Sequence, residues 1–344
     1  MLKTSLYVLL FSSFLSLTFA GETDSLFRSE ELIRMELRAD FTEIENDRNG
    51  TAQLHEGKLI YFNKDGSDVM LPVAVSVRGH FRKDPENCIF PPLSISFRKS
   101  DVVNTIFRGQ GKLKLVTPCQ NDEDLIDEYL VYRLYNRVTD LSLKVRLVKI
   151  VYYDTAEDSY IFERYSFFLE NKKHAAKRND LVYKDYFLTP FTLDRDNYMK
   201  LSVFQYMIGN KDWFITSRHN IIIMQTADGE QNPYAVPYDF DFSGFVNASY
   251  TYLPEETQSV SDSRRIFRGL CYTEDEFREV FDFYRELKPE FRTVIKKQKH
   301  LSFDSKRHVL KYLKQFYSII DSRDLFEQEF LAHCETKKSY NIPE

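Results

Sequence analysis

The sequence predicts an α+β protein of two lobes, β-rich first and helix-rich last. Three observations carry that expectation: alternating apolar and polar residues over 26–116, helical apolar spacing at 122–139 and 194–208, and a mostly helical pattern from Thr273 onward. Ile33-Arg34-Met35-Glu36-Leu37 alternates with the two-residue period of a half-buried strand. Asn49-Gly50 and Asp65-Gly66 are turn dipeptides between alternating runs such as Lys58-Leu59-Ile60-Tyr61-Phe62. Strands are expected again at 73–77, 93–97 and 112–116, with the loop Arg78-Gly79-His80-Phe81-Arg82-Lys83 between the first two.

Leu125, Ile126, Tyr129, Leu130, Leu134 and Val138 recur at helical spacing, and strands return at 145–153 and 160–169. The helical stretch 194–208 runs into Gly209, the residue type favoured just past a helix end. Thr273 with Glu276 forms a capping box ahead of the stripe Phe277, Val280, Phe281 and Tyr284, and 305–333 has the same character. The expected organisation is a leader at 1–20, a β-rich lobe with one main helix at 21–180, and a second lobe at 181–344.

The leader reads as a cleaved signal peptide. Lys3 precedes an apolar run from Leu6 to Leu17 too short to span a bilayer, and Thr18-Phe19-Ala20 places small residues before a cut at Gly21. A secreted or periplasmic location follows, with about 324 residues left and no later stretch apolar enough to cross a membrane. The net charge of −5, mixed in sign, excludes the basic stripe of a nucleic-acid binder. Four cysteines permit up to two disulfides in three pairings, Cys88–Cys119 being one candidate bridge, and their spacing contains no CxxC zinc pair.

Chemistry concentrates between 209 and 244. A helix end at Gly209 leads to a polar loop holding Asp212, Trp213, His219 and Asn220; the strand 221–224 turns at Asp228-Gly229 and returns through 234–236 to Asp239 and Asp241. Both open ends of a tight hairpin lie at one edge, so Asp212, Asn220, Asp239 and Asp241 should converge. Phosphoryl transfer needs such a set: one carboxylate for the attacking hydroxyl, and another with an amide oxygen for a divalent ion held against phosphates. Protein kinases place Asp, Asn, a strand hairpin and a metal-binding Asp in this order, with an Asp-to-Asn interval shorter than the eight residues here.

Gly209-Asn210-Lys211-Asp212-Trp213, His219-Asn220 and Tyr238-Asp239-Phe240-Asp241 resemble the GNxDW, N and YDFD motifs of the CotH (spore-coat protein H) kinase-like family. The Arg78-Gly79 loop is similar to that family's RG loop, here without its serine, and the likeness spans roughly residues 75–270. The resemblance implies an atypical protein-kinase-like fold, ATP as co-substrate with Mg²⁺ or Mn²⁺, and secreted or surface protein substrates. It also implies Asp212 as the catalytic Asp, Asn220 as a metal ligand, and Asp239 or Asp241 as the chief metal carboxylate.

A nucleotide also needs a cation on its phosphates. Lys114 on a strand and Glu128 on the following helix stand in the order of a Lys–Glu pair, with Arg78, Arg82 and Lys83 as competing phosphate contacts and Glu163 and Glu170 as competing acids. Arg264, Arg265 and Arg268 read as a surface or salt-bridge segment, and Trp213 as core. Two rival functions stand beside the kinase: a catalytically silent kinase-like binding protein of the envelope or surface, and a metal-dependent hydrolase, which seven scattered histidines disfavour.

Overall fold

The computed structural model describes residues 25–63, 65–251, 265–340 and 342. The leader at 1–20 and Arg264 therefore lie outside the described residues. The chain is α+β, with strands dominating its first half and helices its last part.

Strand β1 (Ile33–Ala39) leads through a short helix, α1 (Phe41–Asn46), into β2 (His55–Phe62), β3 (Asp68–Val77), β4 (Leu93–Phe97) and β5 (Lys112–Val116). Helix α2 (Asp122–Val138) follows, then a long hairpin of β6 (Val145–Asp154) and β7 (Ser159–Leu169). These strands close into a barrel of order β1-β2-β3-β4-β5-β7-β6, in which β1 meets β6 in parallel and every other neighbouring pair is antiparallel. Closure leaves no free sheet edge in this barrel. The alternation seen in β1 does what its period requires: Met35, Leu37 and Ala39 are buried while Arg34, Glu36 and Arg38 are not. Leu59, Val75, Ile95, Leu113 and Ile150 fill the interior without measurable exposure, each contributing on the order of 1.5–3 kcal/mol of burial.

One local expectation changes. Gly66 takes φ +86° at the β2–β3 hairpin, as a turn glycine should. Asn49-Gly50 instead ends a single 3₁₀ turn (Asp47–Asn49) reached through α1, because Phe41 and Ile44 bury a helical face there.

Beyond the barrel come α3 (Lys172–Arg178), β8 (Val182–Lys184), α4 (Arg195–Ile208), β9 (Ile221–Gln225), β10 (Tyr234–Pro237), α5 (Glu274–Lys297), α6 (Phe303–Ile320) and α7 (Arg323–Phe326). Strands β8, β9 and β10 make a small antiparallel sheet. The capping box of α5 is formed as its sequence foretells. Helix α2 precedes β6 and β7 in the chain, yet its buried residues Tyr129, Leu130, Leu134 and Tyr135 join the core of the helical part, beside Phe204, Phe240 and Phe316. Its Asp127 carboxylate lies 2.6 and 2.8 Å from the Ser305 hydroxyl, tying α2 to α6.

Both disulfides are formed, Cys88–Cys119 and Cys271–Cys334, which fits an oxidising, extracytoplasmic compartment. The first fastens the loop after β3 to the segment after β5; the second joins the approach to α5 to the C-terminal segment. On chain-entropy grounds each is worth about 4 kcal/mol. No described helix is long and apolar enough to cross a membrane.

Gly209 caps α4 at φ +64°, and a Cβ there would overlap the Tyr312 hydroxyl. Gly209→Ala is expected to destabilise the fold by more than the roughly 1–2 kcal/mol of left-handed backbone strain alone. Pairing it with Tyr312→Phe should restore the steric part and leave the backbone part. Equilibrium urea unfolding of the single and double variants measures both.

Candidate active site

The residues around Asp212 are set by the end of α4. After Gly209 the chain turns, and the Asn210 side chain accepts the Asp212 backbone N–H at 2.9 Å while donating to Gln205 at 3.1 Å. Phe214 and His219 exchange backbone hydrogen bonds of 3.0 Å, closing a small loop. That loop returns His219 Nε2 to within 2.7 Å of one Asp212 oxygen, and Asn220 Nδ2 donates to the other at 2.9 Å and to the Asp212 carbonyl at 2.8 Å. Asn220 sits at φ +55°, a left-handed position that asparagine tolerates, and feeds directly into β9.

At the other open end, β10 pairs with β9 as far as Pro237 opposite Ile221, and the Tyr238 N–H donates to the Asn220 carbonyl at 3.0 Å. Asp239 is also left-handed, at φ +64°, and its N–H donates to the Tyr132 hydroxyl of α2 at 2.8 Å. Asp241 is buried; its carboxylate accepts from the Tyr250 hydroxyl at 3.0 Å and lies 3.8 Å from Arg82. The hairpin thus brings both pairs of polar residues to one edge.

The barrel supplies the opposite wall. In the loop after β3, the Arg78 N–H donates to the Pro92 carbonyl at 3.0 Å and its Nε to the Leu93 carbonyl at 3.1 Å. Phe81 packs edge-on against Phe242 at 5.3 Å, joining this loop to the segment after Asp241. Arg78, Lys114, Glu128, Asp212, Asn220, Asp239 and Asp241 all line one cleft of about 490 Å³. A larger hollow of about 710 Å³ lies against another part of α2, around Glu30, Arg133, Arg137 and Glu290. Those charges pair with one another, and none of the residues just named reaches it.

Two expectations need correction. Lys83 does not line the cleft: its ammonium donates to the Gly50 carbonyl at 2.5 Å. Glu128 is paired not with Lys114 but with Arg82, 3.3 Å away. Lys114 rests over the Tyr238 ring at 5.0 Å instead. The physical reason is reach and burial: Glu128 is almost fully buried, and the loop after β3 delivers a guanidinium that can face it and Asp241 together. Glu163 and Glu170 are engaged elsewhere, with Lys149 and Arg178. Arg268 is half-buried; its Nη1 donates to the Lys211 carbonyl at 2.8 Å and braces the loop that carries Asp212. Arg265 stacks on Tyr312 at 3.8 Å. Trp213 is core, as expected.

Sequence reading gave His219 no role and passed over Tyr132 and Arg218, which line the cleft, and Tyr250, which donates to Asp241. Tyr132 was legible in principle, standing four residues after Glu128 and so on the same helical face. Tyr250 and Arg218 carry no such signal, because only loop geometry places them.

Burial dominates the electrostatics. It raises the Asp241 carboxyl to about 7, with neighbouring Asp239 adding to the rise and Arg82 opposing it. Burial and then Asp241 lift Glu128 well above the usual carboxylate range, again against Arg82. Lys114 keeps contact with solvent, yet the enclosing walls and then the Arg78 charge lower its ammonium to about 8. Among the described residues no three of His, Cys, Asp and Glu stand as a ready-made metal set. A nucleotide-borne Mg²⁺ asks for less: one or two carboxylates, with phosphates and waters completing its shell. Asp241 and Asp239, crowded enough to raise a carboxyl, fit that role with Asn220 beside them.

No family model matches the chain, and no curated protein matches it in sequence.

Asp241 has a folded-state pKa above that of an unfolded chain. Its contribution to stability is therefore fully present below about pH 4 and lost as pH rises through about 7. The stability difference between the parent and Asp241→Asn should shift against the parent across that window. Melting temperatures of both proteins from pH 4 to pH 8 check it, and a constant difference would count against a perturbed Asp241.

Proposed function

We propose that this chain is an exported phosphotransferase of the atypical-kinase type, moving the γ-phosphoryl group of ATP to a hydroxyl of a protein or of a surface glycan or lipid. The observation that carries the reading is the shared cleft: Arg78, Lys114, Glu128, Asp212, Asn220, Asp239 and Asp241, drawn from both halves of the chain, line one cavity. A β-rich part facing a helical part across a nucleotide cleft is the arrangement a kinase-like fold provides. The CotH-like motifs at 209–213 and 238–241 support the same assignment.

In this reading Asp212 receives the acceptor's hydroxyl proton. The acceptor oxygen bonds to the γ-phosphorus, the bond from that phosphorus to the β,γ-bridging oxygen breaks, and ADP departs with the electron pair. His219 and Asn220 hold the Asp212 carboxylate by hydrogen bonds to both oxygens, fixing the direction from which a hydroxyl is met. Asp241 and Asp239, with Asn220, would hold Mg²⁺ or Mn²⁺, which supplies charge neutralisation on the phosphates. Arg78 and Lys114 add positive charge on the barrel side of the cleft.

The second reading is a silent kinase-like binding module of the envelope or surface. It is favoured by one observation, that the chain's own Arg82 faces both Glu128 and Asp241.

The two separate on nucleotide binding. ATP with Mn²⁺ should raise the melting temperature of the mature protein, by the equivalent of about 2.7 kcal/mol at a hundredfold excess over Kd. Asp239→Ala with Asp241→Ala should abolish that rise. Asp212→Asn should keep it while lowering transfer by about 10²–10⁴-fold. No stabilisation by any nucleotide–metal pair would favour the silent module.

A further inference from the structure

Arg82 is held in an unusual way for a surface-loop arginine. It exposes only 10% of its side chain. One terminal nitrogen, Nη1, faces two acids at once, Glu128 at 3.3 Å and Asp241 at 3.8 Å. The other, Nη2, donates to the Thr117 carbonyl, and the Tyr250 ring lies 5.9 Å from the guanidinium carbon. The remaining donor, Nε, is buried and finds no acceptor among the described residues. A buried N–H without an acceptor is destabilising, and Arg82 itself lines the cleft.

The contacts differ in quality. The Glu128 contact is of hydrogen-bond length, and the 3.8 Å to Asp241 is a looser charge contact. Asp241 has a hydroxyl partner in Tyr250 and one cation, Arg82, within salt-bridge distance among the described residues. A divalent ion arriving at Asp241 would meet that guanidinium, since two cations cannot share one buried carboxylate without strong repulsion.

We infer that Arg82 and a divalent ion are alternative counter-ions of Asp241, and that Arg82, displaced from Asp241 but still anchored by Glu128, grips a phosphate of the incoming nucleotide. This rests on the phosphotransferase reading. Glu128 keeps the guanidinium in the cleft, Thr117 fixes its plane, and the free Nε gains a phosphate oxygen. Metal and nucleotide bind with mutual assistance, because the ion releases the group that the phosphate then takes up.

Two titrations of the full mature chain test this: Mn²⁺ alone, followed by electron paramagnetic resonance of the free ion, and ATP in saturating Mn²⁺, followed by calorimetry. Close charge pairs commonly couple strongly enough that removing the competing cation should tighten binding of Mn²⁺ alone by about tenfold or more. Arg82→Gln should do that and, in the same protein, weaken ATP by about tenfold or more. A merely structural role would weaken both. Arg82→Lys keeps the charge but cannot face both acids and the Thr117 carbonyl together; it should shift the two affinities in the same opposed directions, by less, and it serves if the glutamine variant does not fold. Unchanged or weaker Mn²⁺ binding in these variants overturns the inference, as does a gain that persists when Asp241→Asn is added. Absence of ATP binding in the parent, with the Mn²⁺ gain intact, overturns the phosphate role and the phosphotransferase reading while the exchange at Asp241 stands.

Discussion

Burying the carboxylates of Glu128 and Asp241 in one cleft obliges the protein to supply positive charge beside them. An isolated ionised carboxyl away from water would cost several kcal/mol, and proximity between two makes each harder to ionise. Arg82 answers that demand from the barrel side, reaching an acid on α2 and an acid just beyond β10. The contact therefore does more than neutralise charge, for it connects the loop after β3 to both walls of the cleft. Phe81, one residue earlier, packs against Phe242 and reinforces the same connection with apolar contact.

Helix α2 is the element through which the parts of the molecule agree on a geometry. It presents Glu128 and Tyr132 to the cleft, buries Tyr129, Leu130 and Leu134 in the helical core, and holds Ser305 of α6 through Asp127. Tyr132 then fixes the Asp239 backbone directly. A shift of α2 would disturb an acid, the backbone of a second acid and the packing behind them at once. The opposite side of the cleft is stiffened differently, by short polar loops whose hydrogen bonds are almost all local: Asn210 to Asp212, Phe214 to His219, Asn220 to Asp212. Arg268 braces that loop from outside.

Electrostatics and fold economy pull against each other here. Nothing in the packing of either core requires Glu128, Asp239 and Asp241 to be close, and their proximity raises the cost of ionising Glu128 and Asp241. Costs of that kind persist where a site has a use for them. One disulfide pins the segment after the Arg78–Arg82 loop, and the other secures the approach to α5.

Much of the secondary structure was legible because it obeys local periodicities. Two-residue alternation marked β1 to β4, 3.6-residue spacing marked α2, and Gly209 and the Thr273–Glu276 box marked a helix end and a helix start. The meeting of Asp212, Asn220, Asp239 and Asp241 was legible too, since a tight hairpin forces its open ends together whatever surrounds it. Neither barrel closure, with β1 lying parallel to β6, nor the membership of α2 in the helical core follows from any local pattern. The choice of Arg82 over Lys114 for Glu128, and the diversion of Lys83 to Gly50, were likewise beyond sequence order. These outcomes depend on reach, burial and competition among charges far apart in the chain, which exist only once the barrel and the helices have packed.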